Sequence, residues 1–507
     1  MKINKHILTL LFSLLLFSAY SQNISFSKVI APIENVMSAS FTATGIVKQC
    51  NKYIISLIGF DTASIAFANN LQSLYFAEVD SNGENFKILN KYVQTDTNYY
   101  TNWGTLIKTH NGGFCFVGDI DSNYNNKGQH YIMLFDSSMN NILTKIIPHD
   151  TIWEIVKGVK ETHDHGFVIV GGRLASYSQE DILIMKTDSL GNQIWKKTFA
   201  SGGYSSGKQV EETPDHGFLI CGFRGSYTTG QGDPFLIKTD SAGNLVWVKY
   251  LGNNSQCDGN AAFAITQEGD YIAALGYATF TYPDNTDWLG RINIIKYSPD
   301  GTQIWNRMYD TIRADNSVKK IQILPNNDFI LMGSCVAGLD TNYYTTFMFK
   351  FNANGDSLRR KIYFYTDSYA DGNYLYDNVL NSDGSITACG YVNGNTLMPY
   401  EKIWIMKTDS NGNSPACDYT GIKEPNMLLS KVEINIYPNP TKDKLTIETN
   451  FNTEQRLEII NLIGQTVYTN IINKKKATIN TSTFANGVYI LKLSSDKETV
   501  VKKFVKE

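Results

Sequence analysis

Proline and cysteine are both scarce in this sequence, with 12 prolines and 7 cysteines among 507 residues. So low a cysteine density excludes a small scaffold held together by disulfides. No two cysteines stand in a CxxC spacing, so a zinc or thiol redox motif is not supported. Cys115, Cys221 and Cys389 fall inside apolar strand patterns and are interpreted as buried small hydrophobic residues. Cys257 and Cys417 lie in loops, where the sequence leaves disulfide pairing open.

Long apolar runs are missing beyond the N-terminal region. The run there, Ile7–Phe17, has eleven residues, whereas a membrane-spanning helix needs about 20. Two lysines precede the run, and Ala19 and Ser21 follow at the small-residue positions of a secretory cleavage site. The sequence therefore predicts a signal peptide over residues 1–21 with cleavage before Gln22, and no transmembrane segment.

A strong charge of either sign is also missing. The formal net charge is −3, and the small basic excess lies in residues 431–507, with twelve Lys or Arg against eight Asp or Glu. A mildly acidic body argues against nucleic acid or an anionic membrane surface as the partner.

Sustained helical periodicity is absent as well, and a repeat takes its place. Seven apolar runs each close on a glycine, at steps of 51 to 59 residues: Gly59, Gly118, Gly171, Gly222, Gly276, Gly333 and Gly390. Each unit reads strand, turn, strand, loop, strand, turn, strand, and the last turn has the form DSLGNQ. Gly supplies the positive φ of such a turn, and Asp or Asn bonds back to its backbone.

A four-stranded antiparallel unit of about 50 residues is typical of a propeller blade. Seven such units can close radially, which removes most exposed strand edges. The sequence predicts an all-β protein with a seven-bladed β-propeller over residues 22–418, followed by a small C-terminal β-sandwich.

The seventh unit lacks its fourth strand, because Pro415 stands where unit three has Ile194 and proline cannot donate to a strand ladder. The N-terminal segment NISFSKVI matches the missing strand, with Phe26 in the place of Trp195. We therefore expect residues 24–30 to pair antiparallel with residues 402–408 and close the ring.

A second region begins after a linker at residues 419–432. Residues 433–507 resemble the C-terminal sorting domain of the type IX secretion system (type A), found in the Bacteroidota. The residues that carry the resemblance form a YPNP motif, an NLIGQ turn, a GVY motif and a basic end: Tyr437, Pro438, Asn439, Pro440, Gly464, Gly487, Tyr489, Lys503 and Lys506.

This resemblance implies passage through the periplasm and the outer membrane, with the type IX secretion machinery as partner. It also implies removal of the domain, and then secretion or attachment at the cell surface. The repeat region in turn resembles secreted Bacteroidota β-propeller repeat proteins.

No motif in the chain rises to a catalytic signature. The GxSxG match at residues 203–207 is expected in a loop, without the strand-to-helix context of a nucleophile elbow. The histidines in the turns at residues 163–165 and 215–216 are interpreted as ordinary turn residues and not as metal ligands, since one loop rarely completes a metal site. The sequence predicts no catalytic residues, no cofactor and no metal. It leaves an enzyme open, because carboxylates from different blades could meet in space.

The connections between the second and third strands are long and varied, and together with the connections between units they are rich in aromatic residues. Variable loops on a rigid scaffold are where binding usually occurs. We expect a glycan or protein ligand on this long-loop face, contacted by aromatic residues of different blades: Tyr99, Tyr100, Trp103, Tyr227, Tyr282, Trp288, Tyr343 and Tyr344.

Three functions are compatible with this pattern. The first is a secreted or cell-surface binding protein. The second is a secreted enzyme that degrades polysaccharide or peptide. The third is a structural or adhesion component of the surface.

Overall fold

The structure is a computed structural model. It describes residues 25–30, 40–60, 72–92, 99–121, 129–148, 154–176, 179–200, 203–225, 232–252, 260–279, 289–310, 317–337, 343–363, 365, 372–393, 401–414, 434–449, 454–461, 465–494 and 499–507. The regular elements in these residues are all β-strands, and none of their segments forms a helix able to cross a membrane. The predicted signal peptide, its cleavage site between Ser21 and Gln22, and the predicted linker lie outside the described residues.

Contacts divide the chain into two compact units, Met1–Thr420 and Gly421–Glu507. The described strands of the first unit pair as seven four-stranded antiparallel meanders. The strand β1 (Phe26–Ile30) belongs to the seventh. The other strands follow in chain order, four to a meander. Meander 1 is β2 (Ser40–Gln49), β3 (Lys52–Phe60), β4 (Gln72–Asp80) and β5 (Lys87–Tyr92). Meander 2 is β6 (Tyr99–Lys108), β7 (Phe114–Asp121), β8 (Gln129–Phe135) and β9 (Asn141–Pro148). Meander 3 is β10 (Glu154–Glu161), β11 (Phe167–Ser176), β12 (Gln179–Thr187) and β13 (Gln193–Phe199). Meander 4 is β14 (Tyr204–Glu212), β15 (Phe218–Gly225), β16 (Gly232–Thr239) and β17 (Leu245–Tyr250). Meander 5 is β18 (Ala261–Ile265), β19 (Tyr271–Thr279), β20 (Leu289–Tyr297) and β21 (Gln303–Asp310). Meander 6 is β22 (Ser317–Ile323), β23 (Phe329–Ala337), β24 (Tyr343–Phe351) and β25 (Ser357–Tyr363). Meander 7 is β26 (Asn373–Leu380), β27 (Ile386–Val392), β28 (Lys402–Lys407) and β1.

Meanders 3 and 4 are joined into one sheet by a single parallel bridge between Glu180 and Tyr204. The GxSxG match begins the strand β14, so the expectation of a loop there was wrong. Ser205 and Ser206 are both buried in that strand. The second glycine of the motif serves strand packing, since Gly207 lies against Val170 of meander 3.

Consecutive meanders pack against each other through their first strands. β6 contacts β2 and β10, β14 contacts β10, and β22 contacts β18 and β26. β18 contacts meander 4 through β15, and β26 of the last meander also contacts β2 of the first.

Each apolar core of this unit lies between two neighbouring meanders. The core around Val168 and Ile220 joins meanders 3 and 4. The core around Leu57 joins meander 1 to Cys389 and Ile403 of meander 7. The second and third strands supply most of these residues because their sequences are nearly continuous apolar runs, as strands buried on both faces require.

The N-terminal strand completes the seventh meander. β1 pairs antiparallel with β28, from Phe26 opposite Lys407 to Ile30 opposite Ile403. The buried indole of Trp404 donates a hydrogen bond to Ser27 Oγ at 2.9 Å. The pairing expected for residues 24–30 is therefore confirmed over Phe26–Ile30.

The turn after each third strand has the chemistry expected from the sequence. In meander 3, Asp188 Oδ1 accepts the backbone N–H groups of Leu190 at 2.9 Å and of Asn192 at 2.8 Å. Asp188 Oδ2 accepts the Asn192 side-chain amide at 2.7 Å. These hydrogen bonds lower the pKa of Asp188, and Gly191 takes a φ of 73°.

The lysine of the repeated KTD sequence clamps the other turn of its meander. Lys186 Nζ lies 2.9 Å from both carboxylate oxygens of Asp164, in the turn between β10 and β11. Lys238 contacts Asp215 in the same way in meander 4, at 3.0 and 2.9 Å. Both lysines are buried. Asp164 and Asp215 therefore supply the negative charge that pairs with a buried cation.

The second unit holds two small antiparallel sheets. Their strands are β29 (Ile434–Tyr437), β30 (Lys444–Thr449) and β33 (Lys476–Asn480) in one sheet, and β31 (Gln455–Asn461), β32 (Thr466–Ile472), β34 (Gly487–Ser494) and β35 (Thr499–Lys506) in the other. One apolar core draws on both sheets, with Leu445 from the first and Leu457 from the second.

The motif residues of this unit lie at defined places. The YPNP motif begins at the end of β29, and Asn439 Oδ1 accepts the Val505 backbone N–H at 2.9 Å. The Tyr489 ring stacks on Phe504, with centroids 5.5 Å apart. Gly487 begins β34, while Lys503 and Lys506 lie in β35. Gly464 lies outside the described residues.

Candidate functional site

β-Bulges interrupt several first strands, β2 among them, and four of these strands carry the bulge directly after the residue that pairs with the closing glycine. In these strands Val156, Gly207, Val318 and Leu375 pair with the closing glycine of the second strand, and one unpaired residue follows each. The unpaired residues are Lys157, Lys208, Lys319 and Tyr376. A bulge re-aims a side chain and interrupts strand pairing. We call Lys157, Lys208 and Lys319 the inner lysine cluster, because they lie on the strands through which meanders contact one another.

Lys208 is the most perturbed member of this cluster. Its side chain is half-buried, and burial together with the charges of Lys319 and Lys157 lowers the pKa of Lys208 to about 7. Within the described residues, Lys208 Nζ forms no hydrogen bond or salt bridge. Cys221 behind it supplies no countercharge at neutral pH, because burial raises the pKa of that thiol to about 12.

Lys157 extends the cluster toward meander 3. Lys157 itself stays exposed to solvent. Partial desolvation by the surrounding protein lowers the pKa of Lys157, and the carboxyl groups of Glu180 and Asp119 partly offset this. Burial also raises the pKa of Glu180, whose Oε1 is buried without a hydrogen-bond partner among the described residues. The backbone carbonyl of Lys157 accepts the Thr105 hydroxyl at 2.6 Å, which fixes the bulge against meander 2.

Three tyrosines stand beside Lys319. Its Nζ lies 5.6 Å from the centroid of the Tyr376 ring, within the range of a cation–π contact. The rings of Tyr374, Tyr376 and Tyr391 stack on one another with centroids 5.2 to 6.3 Å apart. Burial raises the pKa of Tyr376 and that of Tyr391, and the two phenols hydrogen-bond to each other. Both stay protonated at neutral pH, and one of their two O–H donors is used in the bond between them.

The bulges lie near the starts of the first strands, the end of the meander that carries the long second connections. Glu180 near the start of β12 and Tyr391 near the end of β27 lie at the same end. The long-loop face was thus predicted from the sequence, but the lysine cluster was not. The signal that could have revealed it is the lysine that recurs in IVKGV, SGKQV and SVKKI. Within any one of these strands, the lysine fits the ordinary alternation of polar and apolar residues.

The predicted aromatic residues of this face fall into three groups. Tyr99, Tyr100 and Trp103 lie in the first part of β6, and Trp103 stands where the register of β6 shifts, between Thr101 and Thr105. Tyr343 and Tyr344 begin β24. Three candidates lie outside the described residues: Tyr227, Tyr282 and Trp288. The convergence of these side chains on one ligand stays a prediction.

Comparison with known proteins identifies the second unit. Residues 435–507 match the family described as the secretion system C-terminal sorting domain. The type IX sorting domain inferred from the motifs at 433–507 is confirmed, and the protein is exported to the cell surface or secreted. No curated protein matches the chain.

Several solved structures resemble the chain at low identity. A protein of unknown function from Dyadobacter fermentans is 12% identical with a TM-score of 0.44, over 75% of this chain and 97% of its own. Virginiamycin B lyase from Staphylococcus aureus is 10% identical with a TM-score of 0.43, over 75% of this chain and 99% of its own. PorZ, a surface component of the type IX secretion system of Porphyromonas gingivalis, is 9% identical with a TM-score of 0.20, over 92% of this chain and 86% of its own. Likeness at this level transfers no activity to this chain.

Proposed function

We propose that the first unit is a seven-bladed β-propeller whose ring is closed by β1. The contacts between meanders support it, because they run from each meander to the next, mostly between first strands, and return from β26 to β2. The apolar cores support it as well, since one of them joins the last meander to the first. In such a ring the first strands line the central channel, and the inner lysine cluster faces that channel near the long-loop end.

We further propose that the exported protein binds an anionic ligand at this end of the channel. The observation that carries the proposal is Lys208, a half-buried cation that has two other lysines beside it and no anionic partner in the described residues. Bringing like charges together costs free energy, and an anion that neutralises them recovers it. Proteins retain such an arrangement where a ligand supplies the missing charge.

The tyrosine stack narrows the ligand to an acidic glycan. Aromatic faces pack on the apolar faces of sugars, while phenol O–H groups donate to sugar hydroxyls and carboxylates. Tyr374, Tyr376 and Tyr391 offer both beside Lys319. A uronate-containing chain would place its carboxylates on the lysines and its rings on the tyrosines, with the predicted loop aromatics contacting its outer part.

The test uses the full-length protein in binding measurements with uronate oligosaccharides, neutral oligosaccharides of equal length and acidic peptides. We expect acidic glycans to bind, neutral ones to bind at least about tenfold more weakly, and Lys208→Met to reduce acidic-glycan affinity by a similar factor. Lys87→Met is the control, because Lys87 is exposed on the outer strand β5. Equal losses of affinity in the two variants would contradict the site. Tighter binding of acidic peptides than of acidic glycans would show that the ligand is a protein. Binding of no ligand at all favours a structural surface component.

A second candidate function follows from the same lysine. An amine with a pKa of about 7 is matched to general-base catalysis at neutral pH. Neutral Lys208 would take the proton from the carbon that bears the carboxylate of a uronate, with the neighbouring lysines neutralising that carboxylate. The glycosidic oxygen on the next carbon then leaves as a hydroxyl group with the proton returned from Lys208, a carbon–carbon double bond forms, and no water is consumed. Formation of the unsaturated product by the wild-type protein but not by Lys208→Met would support a lyase. Stable binding of the oligosaccharide without product would support a binding protein.

A further inference from the structure

Two clusters of histidine and glutamate lie on the hairpin turns between first and second strands, at the end of the unit away from the inner lysine cluster. The first contains His110 of meander 2 with Glu161 and His165 of meander 3. Glu161 Oε1 lies 3.5 Å from His110 Nδ1 and 3.3 Å from His165 Nδ1. The glutamate is buried while both histidines are exposed, so the three ligand atoms converge at the surface between two neighbouring turns.

The second cluster repeats the first one meander further along. It contains His163 of meander 3 with Glu212 and His216 of meander 4. Glu212 Oε1 lies 3.1 Å from His216 Nδ1 and also contacts His163 Nδ1. In both clusters the possible ligand atoms lie within 4.8 Å of one another. Four of the seven histidines in the chain belong to these two clusters.

Each glutamate is held by its second oxygen. Glu161 Oε2 accepts the backbone N–H of His110 at 2.6 Å, and Glu212 Oε2 accepts that of His163 at 2.7 Å. Hydrogen bonds of this kind orient a carboxylate toward a metal and support ligand binding. One oxygen of each glutamate therefore fixes the carboxylate to the neighbouring turn, and the other faces two imidazoles.

The turn position of His165 and His216 favours other residues. These histidines have φ values of 61° and 60°, and the same position of other meanders holds Gly112, Gly269, Asn327 and Gly384. Gly and Asn adopt positive φ at lower cost than most residues. Histidine at this position is thus not required by the turn and contributes its imidazole.

We propose that these two clusters bind transition-metal ions of the zinc class, one ion joining meander 2 to meander 3 and the other joining meander 3 to meander 4. Two imidazoles and one carboxylate are a ligand set suited to Zn²⁺. Tetrahedral coordination with bonds of about 2.0–2.1 Å separates ligand atoms by about 3.3 Å, close to the distances found here. The fourth coordination position is open to water or to an external ligand. Ca²⁺ and Mg²⁺ prefer sites built from oxygen atoms.

The sequence predicted no metal, because each histidine-bearing turn was considered by itself. A turn here supplies only part of a site, and the neighbouring turn completes it. The series stops between meanders 4 and 5, because Pro214 of meander 4 stands at the position of His163 and Ile265 of meander 5 at that of Glu212. Two sites per chain are therefore expected.

The test is calorimetric titration of the chelator-treated full-length protein with Zn²⁺, above the ordinary imidazole pKa of about 6.5. We expect two ions to bind per chain, one after His165→Asn or His216→Asn, and none with comparable affinity in the double variant, a loss of at least about 100-fold. Asparagine preserves the turn, since Asn327 takes a φ of 62° at the same position. Glu268→Gln, in the corresponding exposed turn of meander 5, is the control and should retain both sites.

A second readout separates a metal site from a hydrogen-bonded cluster. Zn²⁺ should raise the unfolding temperature of the wild-type protein and of Glu268→Gln but not of the double variant, because a ligand that binds only the folded state stabilises it. Mg²⁺ at the same concentration should have no such effect. Absence of Zn²⁺ binding by the wild-type protein, or binding unchanged in the double variant, would overturn the proposal.

Discussion

The ring of Phe26 lies against Gly83, the glycine in the turn between β4 and β5. A Cβ atom built on Gly83 would come within 2.6 Å of that ring. The same relation recurs between the tryptophan of a fourth strand and the turn glycine of the next meander: Trp195 with Gly243, Trp247 with Gly301 and Trp305 with Gly355. Phe26 therefore has the role in meander 7 that tryptophan has elsewhere, which is the role expected for it from the sequence.

Truncation of Phe26 should destabilise the first unit. The side chain is buried between meanders 7 and 1, and loss of a buried phenylalanine typically costs about 3–5 kcal/mol. Phe26→Trp should cost less, because other meanders hold tryptophan at this place. Denaturant unfolding of the three proteins measures the difference, and equal stability of Phe26→Ala and wild type would contradict the packing.

Gly83→Ala should destabilise more than Gly112→Ala. Both glycines have positive φ, 76° and 84°, so alanine is strained at either. Only at Gly83 would the new methyl group also meet Phe26, whereas nothing lies within 4 Å at Gly112. We expect about 1–3 kcal/mol more destabilisation at Gly83, in the range for an overpacked contact. A double-mutant cycle with Phe26→Ala should recover most of this difference.

Asp215→Asn should lower stability in a pH-dependent way. Burial opposes the shift, but hydrogen bonds from Thr213, Lys238 and Gly217 lower the pKa of Asp215 to about 2. Because the folded pKa is depressed, the stabilisation is present above the unfolded value of about 3.9 and is lost as pH falls through about 2. The carboxylate is largely exposed, so the expected effect near neutrality is only about 1 kcal/mol. Unfolding measured from neutral to acid pH checks this, and a difference that stays constant with pH would count against the clamp.

Deletion of residues 433–507 should stop export without unfolding the first unit. The second unit has a core of its own, so its removal exposes no core residue assigned to the meanders. The truncated protein should remain in the periplasm, and residues 420–507 should direct an inert reporter to the cell surface. Fractionation of cells with antibody detection is the measurement. Surface localisation of the truncated protein would show that another segment directs export.

The meanders were predictable because their information is local. Six of the seven third-strand turns hold a network like that of Asp188, with Asn352 as the acceptor in meander 6. In meander 5, Asp300 accepts the Thr302 backbone N–H instead. The buried second and third strands are nearly continuous apolar runs. The missing strand of the seventh unit was also found from the sequence, since Pro415 marks where pairing fails and Phe26 matches Trp195 in the N-terminal segment.

The candidate site was less predictable because it depends on neighbours far apart in the chain. The lowered pKa of Lys208 comes from burial and from lysines on two other first strands. The carboxylate of Glu161 meets His110 only because consecutive turns lie side by side. One loop or one strand, considered alone, contains neither arrangement.

The proposed anion site is tested most directly by the protons exchanged when an acidic oligosaccharide binds. Lys208, with a pKa of about 7 in the free protein, is mostly neutral at a pH one unit above that value. A bound carboxylate favours the charged amine and raises its pKa, so binding there should take up close to one proton. The uptake should fall toward zero about one unit below the pKa, where the amine is already charged.

Calorimetry in buffers of different ionisation enthalpy measures the number of protons taken up on binding. We expect proton uptake in the wild-type protein and in Lys87→Met, and its loss in Lys208→Met. Binding without proton uptake, or uptake unchanged by Lys208→Met, would contradict binding of the acidic group at Lys208.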